Sequence, residues 1–309
     1  MIDPVATRAY DPASRPAADG GAAADLASRI PRLVARAHEV AASLAYGVHG
    51  RKRAGAGETF WQYRPFASGE SAHRVDWRRS ARGDQLYVRE REWEAAHDYF
   101  LWMDCSPSMA FASSLASDDK LSRAVTLGLA LAEVLVRGGE RVAALGLTAP
   151  VSARDVIDRL ARALADNVAE TTHDDLPPQA PLRPRAKVVL ISDFLIEPDA
   201  LFARLRRFAD AGASGALLMV IDPSEESLPF SGETMFLDTD GGPSFHAGEA
   251  KSLRAAYAQR FDAHREGVRA AAARAGFLFL QHHTDRPAAE AALALAMGLL
   301  GAGQFGERR

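Results

Sequence analysis

At 309 residues, 48% hydrophobic and 25% charged, the chain is long enough to bury one large core with a small accessory region, since single domains run to roughly 250 residues. A formal net charge of -3 excludes a global bias toward nucleic acid or an anionic membrane, so any electrostatic partner must be sought in local patches. The single cysteine, Cys105, excludes an intrachain disulfide framework and fits a reducing compartment.

Residues 1–24 carry acids, prolines and glycines without the apolar stretch of a signal peptide, and read as a disordered tail. From Asp25 to Tyr46, the residues Leu26, Ile30, Leu33, Val34 and Val40 recur at helical spacing, and Pro31 is expected to sit comfortably only in a first turn. The stretch from Gly47 to Arg91 is rich in Gly and Arg with aromatics between them and shows no sustained helical period.

The pattern changes at Asp98. Tyr99 to Met103 is a short apolar run of β-prone residues and reads as a buried strand ending in Asp-Cys-Ser-Pro-Ser. Lys120 to Val136 reads as a helix stopped by Gly138 and Gly139, Arg141 to Leu147 as a strand, and Ala153 to Ala165 as a helix. Lys187 to Ile191 is the clearest strand and runs into Ser192-Asp193-Phe194. A helix over Asp199 to Asp210, a strand over Gly215 to Ile221, a loop, a long helix over Lys251 to Ala275, a strand over Phe277 to Gln281 and a helix over Pro287 to Leu300 complete the chain.

Strands that are unbroken apolar runs and alternate with helices predict a doubly wound α/β domain with a mainly parallel sheet. The expected organisation is a tail (1–24), a helix followed by the Arg- and aromatic-rich block (25–97), the α/β domain (98–301) and a short C-terminal tail (302–309). No apolar run reaches the roughly 18 to 20 residues of a membrane-spanning helix, so a cytoplasmic protein without membrane insertion is expected.

Ligands of such sheets bind outside the carboxyl ends of the strands, where strand order reverses. The polar residues just after each strand are therefore the ones to weigh: Asp104 with Ser106 and Ser108, Ser192 with Asp193, Asp222, and His282, His283 and Asp285. A hard cation such as Mg2+ takes oxygen ligands and keeps several waters, so the carboxylates of Asp104 and Asp193 with the hydroxyls of Ser106 and Ser108 would suffice. Mn2+ or Ca2+ would suit the same donors. A third hydroxyl would come from Thr172 or Thr171. The plainer alternative is that Asp104 only caps a turn.

The order of several motifs resembles a bacterial family. These are Gly50-Arg-Lys-Arg-Ala-Gly-Ala-Gly-Glu-Thr-Phe-Trp61, Tyr63-Arg-Pro-Phe66, Arg74-Val-Asp-Trp-Arg-Arg-Ser-Ala-Arg82, Val88-Arg-Glu90 and Asp104-Cys-Ser-Pro-Ser-Met109. Together they look like the domain-of-unknown-function 58 family, from about Leu26 to the C-terminus. The resemblance implies a von Willebrand A-like fold, with Asp104, Ser106 and Ser108 in the first metal-site loop and Asp193 in a later acidic loop. It also implies a MoxR-type AAA+ ATPase, or that ATPase's client, as partner. Relatives usually carry Thr-Asp ahead of a helix in the segment that here reads from Thr171 to Pro184, which is too proline-rich for a helix. Many relatives have membrane-spanning helices ahead of this region, and the chain resembles a short soluble branch.

The block from Arg51 to Arg91 interleaves arginines with Phe60, Trp61, Tyr63, Phe66 and Trp77, as a nucleic-acid surface would. Acids interspersed among those arginines favour internal pairing, so Arg74, Asp76, Trp77, Arg78 and Arg82 read as a structural or partner-docking motif, and no nucleic acid is expected. Cys105 lacks the downstream arginine of a phosphatase loop, and Ser106 and Ser108 lack the G-x-S-x-G elbow of a hydrolase. The expected function is a non-enzymatic, metal-dependent adaptor. The alternatives are a metal-dependent hydrolase or phosphotransferase using Asp104 and Asp193, and a metal-free scaffold.

Overall fold

A computed structural model describes residues 21–49, 60–67, 70–83, 85–91, 96–170, 175–237 and 244–302. They belong to two compact units, the smaller from His49 to Ala96 and the larger made of the chain on either side of it. In chain order the elements are α1 (Gly21–His49), β1 (Phe60–Pro65), α2 (Trp77–Ser80), β2 (Tyr87–Arg91), β3 (Asp98–Met103), α3 (Lys120–Arg137), β4 (Arg141–Ala144) and α4 (Val156–Glu170). They continue with β5 (Lys187–Ser192), α5 (Pro198–Asp210), β6 (Ser214–Ile221), α6 (Pro223–Ser227), β7 (Thr234–Phe236), β8 (Phe245–Ala247), α7 (Arg254–Arg274), β9 (Leu278–His283) and α8 (Ala288–Ala302).

The larger unit is built on one five-stranded sheet in the order β4-β3-β5-β6-β9, all parallel. Successive side chains of a strand point to opposite faces, and here both faces are covered, which explains the unbroken apolar runs. Tyr99, Leu101 and Met103 join one buried cluster with α1, α3, α4 and α8, while Phe100 joins the other with residues of α5 and α7. Strand order reverses between β3 and β5, where Met103 pairs with Ile191 and the amide of Asp104 donates to the Ile191 carbonyl at 2.9 Å. The exits of these two strands are thereby placed side by side at the switch point.

Helix α3 is buried along almost its whole length, its polar residues Lys120, Ser122, Arg123, Thr126 and Glu133 included. Helix α1 contributes Leu26, Leu33, Ala37, Ala41 and Leu44 to the same cluster. Pro31 lies well inside α1 rather than in a first turn. Pro31 and Ala27 are both exposed, so the missing hydrogen bond falls on the side of α1 that is turned away from the core.

Strand β9 runs through His283, so His282 and His283 lie within a strand and not just after one. Strand β4 ends at Ala144, earlier than the apolar pattern suggests, because the chain turns at Gly146 with φ of 77°. The hairpin of β7 and β8 has three-residue strands that the sequence does not announce.

In the smaller unit β1 and β2 pair antiparallel, with Val75 bridging to Val88. Asp76 caps α2 by accepting from the Arg79 amide at 3.0 Å, and the Arg79 guanidinium lies over the rings of Tyr63 and Tyr87 at 5.3 and 5.6 Å. Of the expected tails, residues 1–20 and 303–309 lie outside the described residues, and α1 already begins at Gly21. Thr171 and Thr172 also lie outside them.

Candidate functional site

Five of the residues singled out in the sequence meet at the switch point: Asp104, Ser106, Ser108, Ser192 and Asp193. After β3 the chain enters a short 3-10 turn over Pro107–Ala110, which aims the side chains of Asp104, Ser106 and Ser108 inward. Asp104 Oδ1 accepts from the Ser106 amide at 2.8 Å and Asp104 Oδ2 from Ser192 Oγ at 2.6 Å. Ser106 Oγ lies 3.1 Å from Ser108 Oγ, and the Ser108 hydroxyl donates to Asp193 Oδ2 at 2.8 Å. Asp104, Ser106, Ser192 and Asp193 are all buried.

The loop after β5 is held under strain. Phe194, fully buried, has φ of 50°, a conformation that costs an ordinary residue about 1 kcal/mol or more. Its amide donates to Ser192 Oγ at 2.8 Å, its carbonyl accepts from His264 Nε2 at 2.8 Å, and the Leu195 amide donates to Asp193 Oδ1 at 3.2 Å. This turn directs the Asp193 carboxylate toward the serine hydroxyls.

A residue that sequence reasoning missed completes the cluster. Lys120, the first residue of α3, is wholly buried, and its Nζ donates to Asp193 Oδ2 at 2.8 Å and to Glu225 of α6. Burial works against the ammonium, but Asp193 and Glu225 together hold its pKa above the ordinary lysine value. Burial raises the Glu225 pKa, against the pull of Lys120. No sequence signal marks it, since a lysine at the first position of a helix that also carries Ser122, Arg123 and Glu133 reads as solvated.

Asp104 differs from Asp193 in having no cationic side chain within ion-pair distance among the described residues. Burial, partly opposed by the bonds from Ser192 and Ser106, pushes its carboxyl up to about 6. Two carboxylates and two hydroxyls thus converge in a buried place where Lys120 supplies one positive charge, already shared with Glu225. These are the oxygen donors that could hold a divalent cation retaining some of its waters. Among the described residues, no three histidine, cysteine, aspartate or glutamate side chains gather into an all-protein cage.

The remaining strand-end residues have other partners. Asp222 caps α6 in a capping box with Glu225 and accepts from the Ser113 amide at 2.8 Å. His282 is buried beside Arg123 at 3.2 Å and is pushed down to about 3 by burial and by that guanidinium. His283 contacts Glu226 at 2.9 Å. Burial and the neighbouring Asp104 push the Cys105 thiol up to about 12, and its Sγ lies 3.5 Å from the Met103 carbonyl. In the smaller unit Trp77 is 61% exposed, and Arg78 and Arg82 are exposed near it in sequence. Arg74 ends a 3-10 turn just before α2.

Among the described residues no helix is long and apolar enough to cross a membrane. The chain is 27% identical over 249 residues to uncharacterized proteins of Mycobacterium bovis and Mycobacterium tuberculosis, covering 75% of this chain and 76% of each relative. A crystal structure of an aerotolerance-related membrane protein from Bacteroides fragilis with multiple mutations to serines matches with 16% identity and a TM-score of 0.37, over 65% of this chain and 98% of that one. Residues 62–267 match the family described as protein of unknown function DUF58, and the chain belongs to that family.

Proposed function

We propose that the larger unit is a protein-binding module of the von Willebrand A type, in which Asp104, Ser106, Ser108 and Asp193 hold a divalent cation. Mg2+ is the first choice for an oxygen-only donor set, and Mn2+ or Ca2+ would be accepted by the same oxygens. The observation that carries this reading is the buried Asp104 carboxylate, which has no cationic partner of its own among the described residues and lies with a second buried carboxylate and two hydroxyls. Burying a carboxylate without a compensating charge is costly, and a bound cation would remove that cost.

The serine ligands are neutral, so a divalent cation held with the two carboxylates leaves a centre with no excess negative charge, and an open coordination position there can take a carboxylate from another protein. The module would then be an adaptor whose partner presents an Asp or Glu. A MoxR-type AAA+ ATPase, or the client it remodels, is the partner proposed on the family resemblance. The role of this chain is to bind and orient, with the exposed Trp77 and its neighbouring arginines offering a further docking point.

A second reading has its own support. The Lys120 ammonium already neutralises Asp193, as expected of a metal-free scaffold in which the loop survives as an internal polar network. A pull-down with the candidate ATPase, in Mg2+ or EDTA, with wild type and Asp104→Ala, separates the two. Capture that needs both the ion and Asp104 supports the metal-bridged adaptor. Capture indifferent to both supports the scaffold.

A further inference from the structure

Lys120 is an unusual neighbour for a metal-holding carboxylate. It is wholly buried, and its ammonium touches the same Asp193 oxygen that accepts from Ser108. An ion arriving between Asp104 and Asp193 must share the Asp193 carboxylate with an existing positive charge. Two like charges a few ångströms apart in a buried place repel strongly, more so than they would in water.

Glu225 stands on the other side of the ammonium. Its Oε1 accepts from Lys120, and its Oε2 accepts from the Asp222 amide at 2.9 Å as part of the α6 capping box. The lysine charge is therefore divided between a carboxylate inside the proposed metal centre and one outside it. How far the ammonium leans toward Asp193 depends on Glu225.

We infer that Lys120 is the resident cation that sets how tightly this centre takes a metal, and that Glu225 tunes it by drawing part of the lysine charge away from Asp193. The inference rests on the metal reading above and goes beyond it, since it assigns a regulating pair outside the DxSxS loop. Its chemical consequence is weak loading in the absence of a partner. With Lys120 and Glu225 cancelling each other, a divalent ion on Asp104 and Asp193 leaves a centre near neutrality that still admits an incoming carboxylate.

The experiment is a Mn2+ titration of the full chain, with free Mn2+ followed by electron paramagnetic resonance, for wild type, Lys120→Met, Glu225→Gln and Asp104→Asn. Circular dichroism melts establish that each variant is folded. Lys120→Met keeps the length and apolar stem of the side chain and removes the charge, and is expected to tighten Mn2+ binding by roughly tenfold or more. Glu225→Gln leaves the ammonium wholly on Asp193 and is expected to weaken binding. Opposite shifts are the decisive outcome, because a purely structural disturbance would weaken binding in both variants.

If Lys120→Met does not fold, Lys120→Gln takes its place with tighter binding expected, and unchanged or weaker binding in that folded variant overturns the inference. Wild-type binding that depends on Asp104 but is matched or exceeded in dissociation constant by Lys120→Met overturns the role of Lys120 and leaves the metal reading standing. Absence of Asp104-dependent Mn2+ binding in every chain overturns both.

Discussion

Ser192 Oγ donates to Asp104 Oδ2 across 2.6 Å, so the last residue of β5 ties down the first residue beyond β3 at the point where strand order reverses. The same hydroxyl accepts from the Phe194 amide at 2.8 Å, which lets one buried oxygen serve both the acid and the strained turn that aims Asp193. Replacing Ser192 by Ala therefore leaves a buried carboxylate and a buried amide each short of a partner. The expected cost is about 2 kcal/mol in urea denaturation, with the Asp104 carboxyl, followed by carbon NMR, titrating above its present value of about 6. A loss below about 0.5 kcal/mol would mean that this contact does not position the loop.

Two buried groups give the fold opposing responses to acid. His282 has a folded pKa of about 3, below its unfolded value, so the folded state binds fewer protons and stability is lost as pH falls through about 6.5. Asp104 has a folded pKa of about 6, above its unfolded value, so its contribution improves as pH falls through about 6 toward 4. Between pH 7 and 5 the two effects largely offset each other, at about 2 kcal/mol or less apiece. Relative to wild type, His282→Gln should gain stability on acidification and Asp104→Asn should lose it. Denaturant melts at both pH values measure the difference, and parallel profiles for the two variants would contradict this account.

The fold was largely readable because the residues of β3, β5 and β6 are apolar on both faces, a pattern that follows from a parallel sheet covered by helices on either side. Asp104, Ser106, Ser108 and Asp193 were readable for a related reason, since strand ends at a switch point are where such a sheet gathers polar side chains. Lys120 was not, because sequence alone treats a lysine at the start of a helix as solvated, and only its contacts with Asp193 and Glu225 explain its burial. The pairing of β1 with β2 was hidden for another reason: more than twenty residues separate the strands, and arginines break up the alternation along them. His282 and His283 were placed beyond β9 because their polarity looked like a strand end, whereas Arg123 and Glu226 supply partners that let the strand continue.

Helix α1 is fastened to the start of α3 by charge as well as by its apolar stripe. Arg36 holds Asp118 through two bonds of 2.5 and 2.6 Å, and Asp118 also accepts from the buried Arg123 at 3.0 Å. The Arg36 bond, with help from Arg123, holds the Asp118 carboxyl below its ordinary range. Asp118→Ala removes the carboxylate from both guanidiniums, and because Arg123 is buried the expected cost is about 3 kcal/mol. Amide exchange in α1 should accelerate before exchange in β3 does. Equal acceleration in both would mean that the Arg36–Asp118 pair does not fasten α1 locally.

Trp77 and Arg79 separate docking from structure in the smaller unit. Trp77 is 61% exposed at the first position of α2, so Trp77→Ala should change stability by no more than about 0.5 kcal/mol. Arg79 stacks over Tyr63 and Tyr87 and supplies the amide that Asp76 caps, so Arg79→Ala should cost about 1 kcal/mol through the lost cation-π contacts while the cap remains. In a pull-down with the candidate ATPase, Trp77→Ala should reduce capture because an exposed tryptophan flanked by arginines is suited to anchor an interface. Arg79→Ala, folded at the same temperature, should reduce capture less. If Trp77→Ala destabilises the chain as much as Arg79→Ala does, the indole has a structural role and the docking assignment fails.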